Sequence, residues 1–280
     1  MKQYYIICDV SLCDGCDNCG NACKGEHVNN EWPPYTNAQP GDGHRWMNVL
    51  RLERGKSPRI DVTYLPMPCQ HCSDPLCAKV NPDCVNRRED GIVLIDIKNA
   101  AGNRILTDSC PYDAMYWNEE AGVAQKCTMC AHIIEIENVD SDISIPRCVH
   151  SCTAGALEFF HIEPSEMEEK IKDEELECFR PELNGGKSCV YYKNIHKFTK
   201  TFITGCVHRS GKHAEGVMVT LTGSQPATAE IMRSQLTDSA GEFKFDSLDH
   251  GEYTFGVEGK DLETVTLGEW LDLGNIKIGK

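Results

Sequence analysis

The residues able to do chemistry in this chain are its cysteines, seventeen in 280 residues, and they fall in runs. Cys13, Cys16, Cys19 and Cys23 follow one another as C-x2-C-x2-C-x3-C, the spacing at which ferredoxin loops hold cubane iron–sulfur clusters and lend the fourth thiolate to a second cluster. Three thiolates in close succession close on one face of a cube. The fourth, carried onto the helix that follows, reaches a neighbour, so one such run requires a partner run. Cys127-x2-Cys130 and Cys148-x3-Cys152 supply it. By the crossing rule for paired runs, Cys13, Cys16 and Cys19 take Cys152, while Cys127, Cys130 and Cys148 take Cys23.

Between these runs stand Cys69, Cys72 and Cys77, spaced C-x2-C-x4-C. Where a ferredoxin run would place its next cysteine and proline, the chain has Asn81-Pro82. Counting back from Cys110-Pro111 by the same spacing gives Leu106, Asn103 and Ala100. All four ligands of one cluster are replaced together, the pattern of a site deleted as a unit, and Cys110 is left to complete Cys69, Cys72 and Cys77. Twelve thiolates thus account for three [4Fe-4S] clusters. Cys8, Cys84, Cys178, Cys189 and Cys206 stand outside the scheme. His71, between two ligands, is read as a hydrogen-bond donor to a cluster sulfur rather than as a ligand. Zinc is the competing reading, since Cys127, Cys130, Cys148 and Cys152 alone would pass as a four-thiolate site. The first run argues against it, because two tetrahedral pairs do not need three successive Cys-x-x-Cys steps. A disulfide framework belongs mainly to small secreted domains and fits poorly.

Elements must place these runs. Residues 4–10 read as a strand leading into the first cluster loop, with a helix over about 20–27; residues 91–96 and 115–118 read as further strands. Proline and glycine mark residues 29–68 as an ordered loop excursion, carrying a basic strip of Arg45, Arg51, Arg54, Lys56 and Arg59 that is either a docking surface or a solvated face. Ser165 to Glu168 reads as a capping box opening a helix to about Cys178, and residues 190–192 return as extended chain. From residue 198 the character changes. Alternating stretches at 217–222, 237–245 and 251–255, bounded by Asp and Gly turns, argue for a β-sandwich that packs or binds a partner. The expected fold class is α+β, with a double ferredoxin-like iron–sulfur domain over 1–197 and an all-β sandwich over 198–280.

The charge balance, 28 Lys+Arg against 43 Asp+Glu, gives −15, and nucleic acid is a poor partner for such a surface. No apolar run approaches the roughly 18 residues needed to cross a bilayer, and the first ten residues lack the pattern of a signal peptide, so a cytoplasmic location is expected unless a partner carries the chain out. Nothing marks a nucleophile with its base, and clusters held by four thiolates offer no open coordination position. The sequence describes a subunit that completes an enzyme.

The paired runs, the long stretch between the first two, Cys69-Gln-His-Cys72, Cys110-Pro-Tyr112 and Lys126-Cys-Thr-Met-Cys130 resemble, over residues 4 to about 192, the iron–sulfur subunits of molybdopterin oxidoreductases of the dimethyl sulfoxide reductase family. Most of that family keeps four clusters. Three clusters with an added C-terminal β-domain, together with His44-Arg-Trp-Met-Asn48 and Met115-Tyr-Trp-Asn-Glu-Glu120, are similar to a transhydroxylase branch, and the β-domain itself resembles prealbumin-like domains. The resemblance implies a heterodimer with a large catalytic subunit that carries molybdopterin guanine dinucleotide and molybdenum. It implies movement of a hydroxyl between polyhydroxylated aromatic rings, of the pyrogallol to phloroglucinol type. The alternative is an electron-transfer subunit of another molybdenum or tungsten oxidoreductase, serving an external carrier or a membrane anchor; a zinc-stabilised scaffold whose sandwich does the binding is the third reading.

Overall fold

A computed structural model of the protein describes residues 1–136, 144–223 and 231–279. They fall into two compact units, Met1–Arg51 with Tyr64–Ile195, and Leu52–Thr63 with His196–Lys280.

The elements of the first unit are, in chain order, β1 (Gln3–Asp9), α1 (Asn18–His27), the hairpin β2 (Met47–Lys56) and β3 (Arg59–Pro68), whose far end belongs to the second unit, α2 (Leu76–Val80), β4 (Val85–Arg87), β5 (Val93–Ile95), α3 (Ile105–Asp108), β6 (Tyr116–Asn118), β7 (Val123–Gln125), α4 (Ala131–Ile134), α5 (Arg147–His150), β8 (Leu157–Ile162), α6 (Pro164–Asp173) and β9 (Val190–Lys193). Tyr5, Ile6, Ile7 and Cys8 are buried in succession, the mark of a strand covered on both faces. β1 accordingly lies at the centre of a three-stranded sheet, antiparallel to β8 and parallel to β9. The short hairpins β4–β5 and β6–β7 lie between the second and last cysteine runs, and their inward residues Val85, Val93, Ile95, Val123 and Ala124 share one apolar core with Ala100, Leu106 and Met115.

Two sequence expectations give way here. Residues 47–68 form the β2–β3 hairpin, not a loop: Gly55 and Pro58, taken as loop punctuation, flank its turn. Gly55 takes φ +88°, and a Cβ there would lie 2.2 Å from the Arg59 carbonyl oxygen, so only glycine lets the strands approach. The capping box also shifts. Pro164 is the first helical residue of α6, which makes Glu163 the N-cap and Glu166 its partner, with the Glu163 N–H donating to Glu166 Oε2 at 2.8 Å. The helix ends at Asp173, short of Cys178.

The second unit holds α7 (His196–Thr199), β10 (Thr201–Arg209), β11 (Lys212–His213), β12 (Met218–Gly223), β13 (Met232–Leu236), β14 (Glu242–Leu248), β15 (Gly251–Val257), β16 (Lys260–Leu267) and β17 (Leu271–Ile278). β10 pairs with β11, β14 and β17; a second sheet runs β13-β12-β15-β16. Alternate residues of both sheets, Ile203, Val207, Val219, Leu221, Phe243 and Phe255 among them, point into one shared core, where the Phe243 and Phe255 rings stack with centroids 5.1 Å apart. This is a β-sandwich.

The basic strip is largely consumed by intramolecular ion pairs. Arg45 pairs with Asp17 in the first unit; in the second, Arg54 pairs with Asp61 at 2.7 Å, and Arg59 reaches Glu242 and Asp272, each at 3.1 Å. The Asp272 side chain is only 4% exposed. Arg59→Ala would leave that carboxylate buried without its cation, and we expect a loss of about 3 kcal/mol from the stability of this unit. Chemical denaturation followed by circular dichroism measures it; an unchanged midpoint would show that the pair does not hold the hairpin tip.

Candidate metal centres

The first cysteine run leaves β1 through a loop that enters α1. Gly15 takes φ +74°, and a Cβ there would meet the Tyr64 ring at 2.4 Å, so the loop closes under an aromatic face that only glycine tolerates. Cys19 and Cys23 stand four residues apart on α1 and both are buried. That spacing puts them on one helix face, about 6 Å apart along the axis, so one helix can serve two neighbouring sites.

The thiols sort by which charges they feel. Burial pushes the Cys19 thiol up to about 12, and the nearby Cys13 and Cys152 add to the rise. Cys13 is raised by burial and by Cys152 and Cys16. Cys23 is raised far more by burial, and its charged neighbours are Cys127, Cys130 and Cys19. Cys148, on α5, feels Cys130, Cys127 and Cys23, whereas Cys152, four residues later, belongs with Cys13 and Cys19. α5 packs on α1 and carries Cys148, while Cys152 follows just beyond its end. A third set gathers around Cys72, raised by burial and then by Cys69, Cys110 and Cys77. The charges these thiols feel also overlap: after burial, Cys127 is raised by Cys69, and Cys8, outside the cluster scheme, by Cys19, Cys13 and Cys152. Cys148 also feels Cys19.

The loops aim backbone N–H groups at sulfur. Met129 and Cys130 take φ of 55° and 52°, successive left-handed residues that turn the Met129 N–H onto Cys127 Sγ at 3.3 Å. Backbone donors likewise lower Cys13, Cys19, Cys23, Cys77, Cys110 and Cys130 against the upward pull of burial. Of the five remaining cysteines, Cys84, Cys178, Cys189 and Cys206 each donate S–H to a backbone carbonyl, as neutral thiols do, although Cys178 also receives the Ser188 backbone N–H. All seventeen cysteines are unpaired. Thiols gathered in fours, supplied with N–H donors and free of disulfides, are a donor set that fits [4Fe-4S] clusters, whose iron offsets a repulsion that bare thiolates could not sustain.

His71 is fully buried, and its Nδ1 accepts the Val93 N–H at 3.0 Å, which puts the ring proton on Nε2. Among the described residues Nε2 has no partner. Burial, then the Lys126 and Arg87 charges, hold the imidazole pKa well below its ordinary value, so the ring is a neutral donor. A sulfur of the set that flanks His71 in sequence would satisfy that orphan proton. Lys126 has no role legible from its motif alone. Its ammonium is buried, donates to the carbonyls of Val93 and Cys127, and lowers Cys77, Cys110 and Cys127, members of two different sets. A cation between two thiolate sets offsets charge in both.

Where a fourth site would lie, the chain is closed. Asn81 caps α2 four residues after Cys77, the relation Cys23 bears to Cys19. Ala100 and Leu106 are fully buried in the apolar core. Asn103 Nδ2 donates to Asn81 Oδ1 at 3.0 Å and approaches Cys84 Sγ at 3.7 Å. The four replacements are thus neighbours that fill one volume, with Cys84 beside Asn103 and Cys77 in the same core.

Comparison with known proteins agrees with this chemistry. Residues 60–162 match a family described as a 4Fe-4S dicluster domain. The chain is 46% identical to the pyrogallol hydroxytransferase small subunit of Pelobacter acidigallici over 284 aligned residues, covering 99% of this chain and all of that one. It is 34% identical to a subunit of the tetrathionate reductase of Salmonella typhimurium, over 55% of this chain and 56% of that one. With a polypeptide of the anaerobic dimethyl sulfoxide reductase of Escherichia coli it shares 31% identity over 56% of this chain and 73% of that one. Among the described residues no helix is long and apolar enough to cross a membrane.

Cys110→Ser is expected to cost one cluster or convert it to a three-iron form, with a matching fall in iron per chain, whereas Cys84→Ser leaves iron unchanged. Iron analysis with electron paramagnetic resonance of anaerobic protein reads both. Equal loss in the two variants would contradict the assignment of Cys110.

Proposed function

Because this protein belongs to the family of molybdenum-enzyme iron–sulfur subunits that includes the pyrogallol hydroxytransferase small subunit, we propose that it completes a molybdopterin-dependent hydroxytransferase acting on polyhydroxylated aromatics. It holds three [4Fe-4S] clusters, ligated by Cys13, Cys16, Cys19 and Cys152, by Cys23, Cys127, Cys130 and Cys148, and by Cys69, Cys72, Cys77 and Cys110. Its partner is a large subunit that carries molybdopterin guanine dinucleotide and molybdenum, and the complex works in the cytoplasm without nucleic acid. Residues 1–197 form the cluster-bearing domain, and residues 198–280, with the hairpin tip, a prealbumin-like packing module.

When bound, each cluster accepts or releases one electron, and the protein's own groups set how readily. Backbone donors such as the Met129 N–H, the Nε2 proton of His71 and the Lys126 ammonium favour the more negative, reduced state, because each offsets added charge at sulfur. The observation that carries the functional reading is the closed volume at Asn81, Ala100, Asn103 and Leu106. In this reading the three clusters form a row, and beside Cys77 and Cys110 apolar side chains stand where a further step would be. Such a row suits poising a partner's metal better than passing electrons through. Hydroxyl transfer between two aromatic rings needs no net electron flow, since one ring gains what the other loses.

The test is to assay the assembled complex with a polyhydroxybenzene pair and no external acceptor or donor. Sustained exchange is expected. Absolute dependence on an added electron carrier would instead make the protein an electron-transfer subunit of the kind its reductase relatives suggest.

A further inference from the structure

The β-sandwich carries a group of side chains that the clusters do not use. β10 alternates, with Ile203 and Val207 turned into the core, so that Cys206 and His208, on either side of Val207, share the opposite face. In the antiparallel ladder His213 of β11 stands directly across from His208, and the two rings meet edge to face with centroids 4.6 Å apart. The turn between them, Ser210 at φ 53° and Gly211 at φ 79°, folds the strands back so tightly that β11 is only two residues long. One sulfur and two ring nitrogens thereby lie within 4.8 Å of one another.

We propose that Cys206, His208 and His213 bind a zinc ion. Cys206 Sγ and His213 Nδ1 are 3.4 Å apart, and a tetrahedral zinc with S and N ligands at about 2.3 and 2.0 Å holds such a pair about 3.5 Å apart. His208 Nε2 is buried and has no hydrogen-bond partner among the described residues, a cost that coordination removes. The donors are one thiolate and two imidazoles, without a carboxylate, which selects a borderline-soft ion over calcium or magnesium. Binding replaces the Cys206 thiol proton with the metal and releases that proton to solvent; no electrons move. Three protein ligands leave the fourth position for water. The ion cross-links β10 to a two-residue strand that has little else to hold it, so its role is to pin that hairpin. Its three ligands all belong to the second unit, whereas the twelve clustered cysteines belong to the first.

The cluster-loaded full-length protein, freed of loose metal by a chelator treatment that leaves its iron content unchanged, is titrated with zinc chloride. Bound zinc and iron are measured on the same samples, and the zinc environment is read by X-ray absorption. About one zinc per chain is expected, with one sulfur near 2.3 Å and nitrogen or oxygen ligands near 2.0 Å. His213→Gln, at an exposed position that leaves the core intact, should weaken binding at least tenfold with iron unchanged, as should Cys206→Ser. No tight zinc in the native protein overturns the proposal. So does zinc that survives His213→Gln or shows four sulfur ligands, which would mean occupation of emptied cluster sites.

Discussion

Thiolates gathered in fours, as proposed for the cluster ligands, would repel one another, and several features of the first unit answer that repulsion. Burial first, and then the neighbouring cysteine charges, drive Cys23 and Cys148 far toward the neutral thiol, which is the wrong form for a ligand. The loops counter it by turning N–H groups onto sulfur, at the expense of left-handed residues such as Met129 and Cys130 and of a glycine at 15 that packs under Tyr64. Lys126 answers it with a buried cation placed between two sets, and His71 with a neutral donor whose proton is fixed by the Val93 N–H. Iron supplies the remainder.

The same constraint explains why a site would be lost whole. A set reduced to three thiols keeps the repulsion and loses much of the compensation, whereas replacing every member removes the charge altogether. The chain has Asn81, Ala100, Asn103 and Leu106 together in that place: two amides bonded to each other and two apolar groups packed in the core.

Much of this was legible because cysteine spacing encodes helix geometry: residues four apart share a face, so the runs at Cys13 and Cys148 already imply shared helices and crossed ligation. What was hidden depends on contacts distant in sequence. Arg59 looked like surface charge, but its partner Asp272 lies 213 residues away. Gly55 and Pro58 serve a hairpin as readily as a loop, which concealed β2 and β3. Lys126 gains its role only when Val93 and the sets of Cys77 and Cys127 are folded around it. Cys206 stood outside the cluster scheme with no partner in view, because the register that brings His213 beside it is set by a strand of two residues.

The central claim is that the protein holds three cubanes and has closed a fourth. Native mass spectrometry of the anaerobically purified protein tests it most directly, since the mass counts intact cores rather than iron atoms. The account predicts a dominant species equal to the polypeptide plus three Fe4S4 units, with Cys110→Ser shifted to a lower core count; a native species carrying four cores, or one carrying only two while retaining all its cysteines, would contradict it.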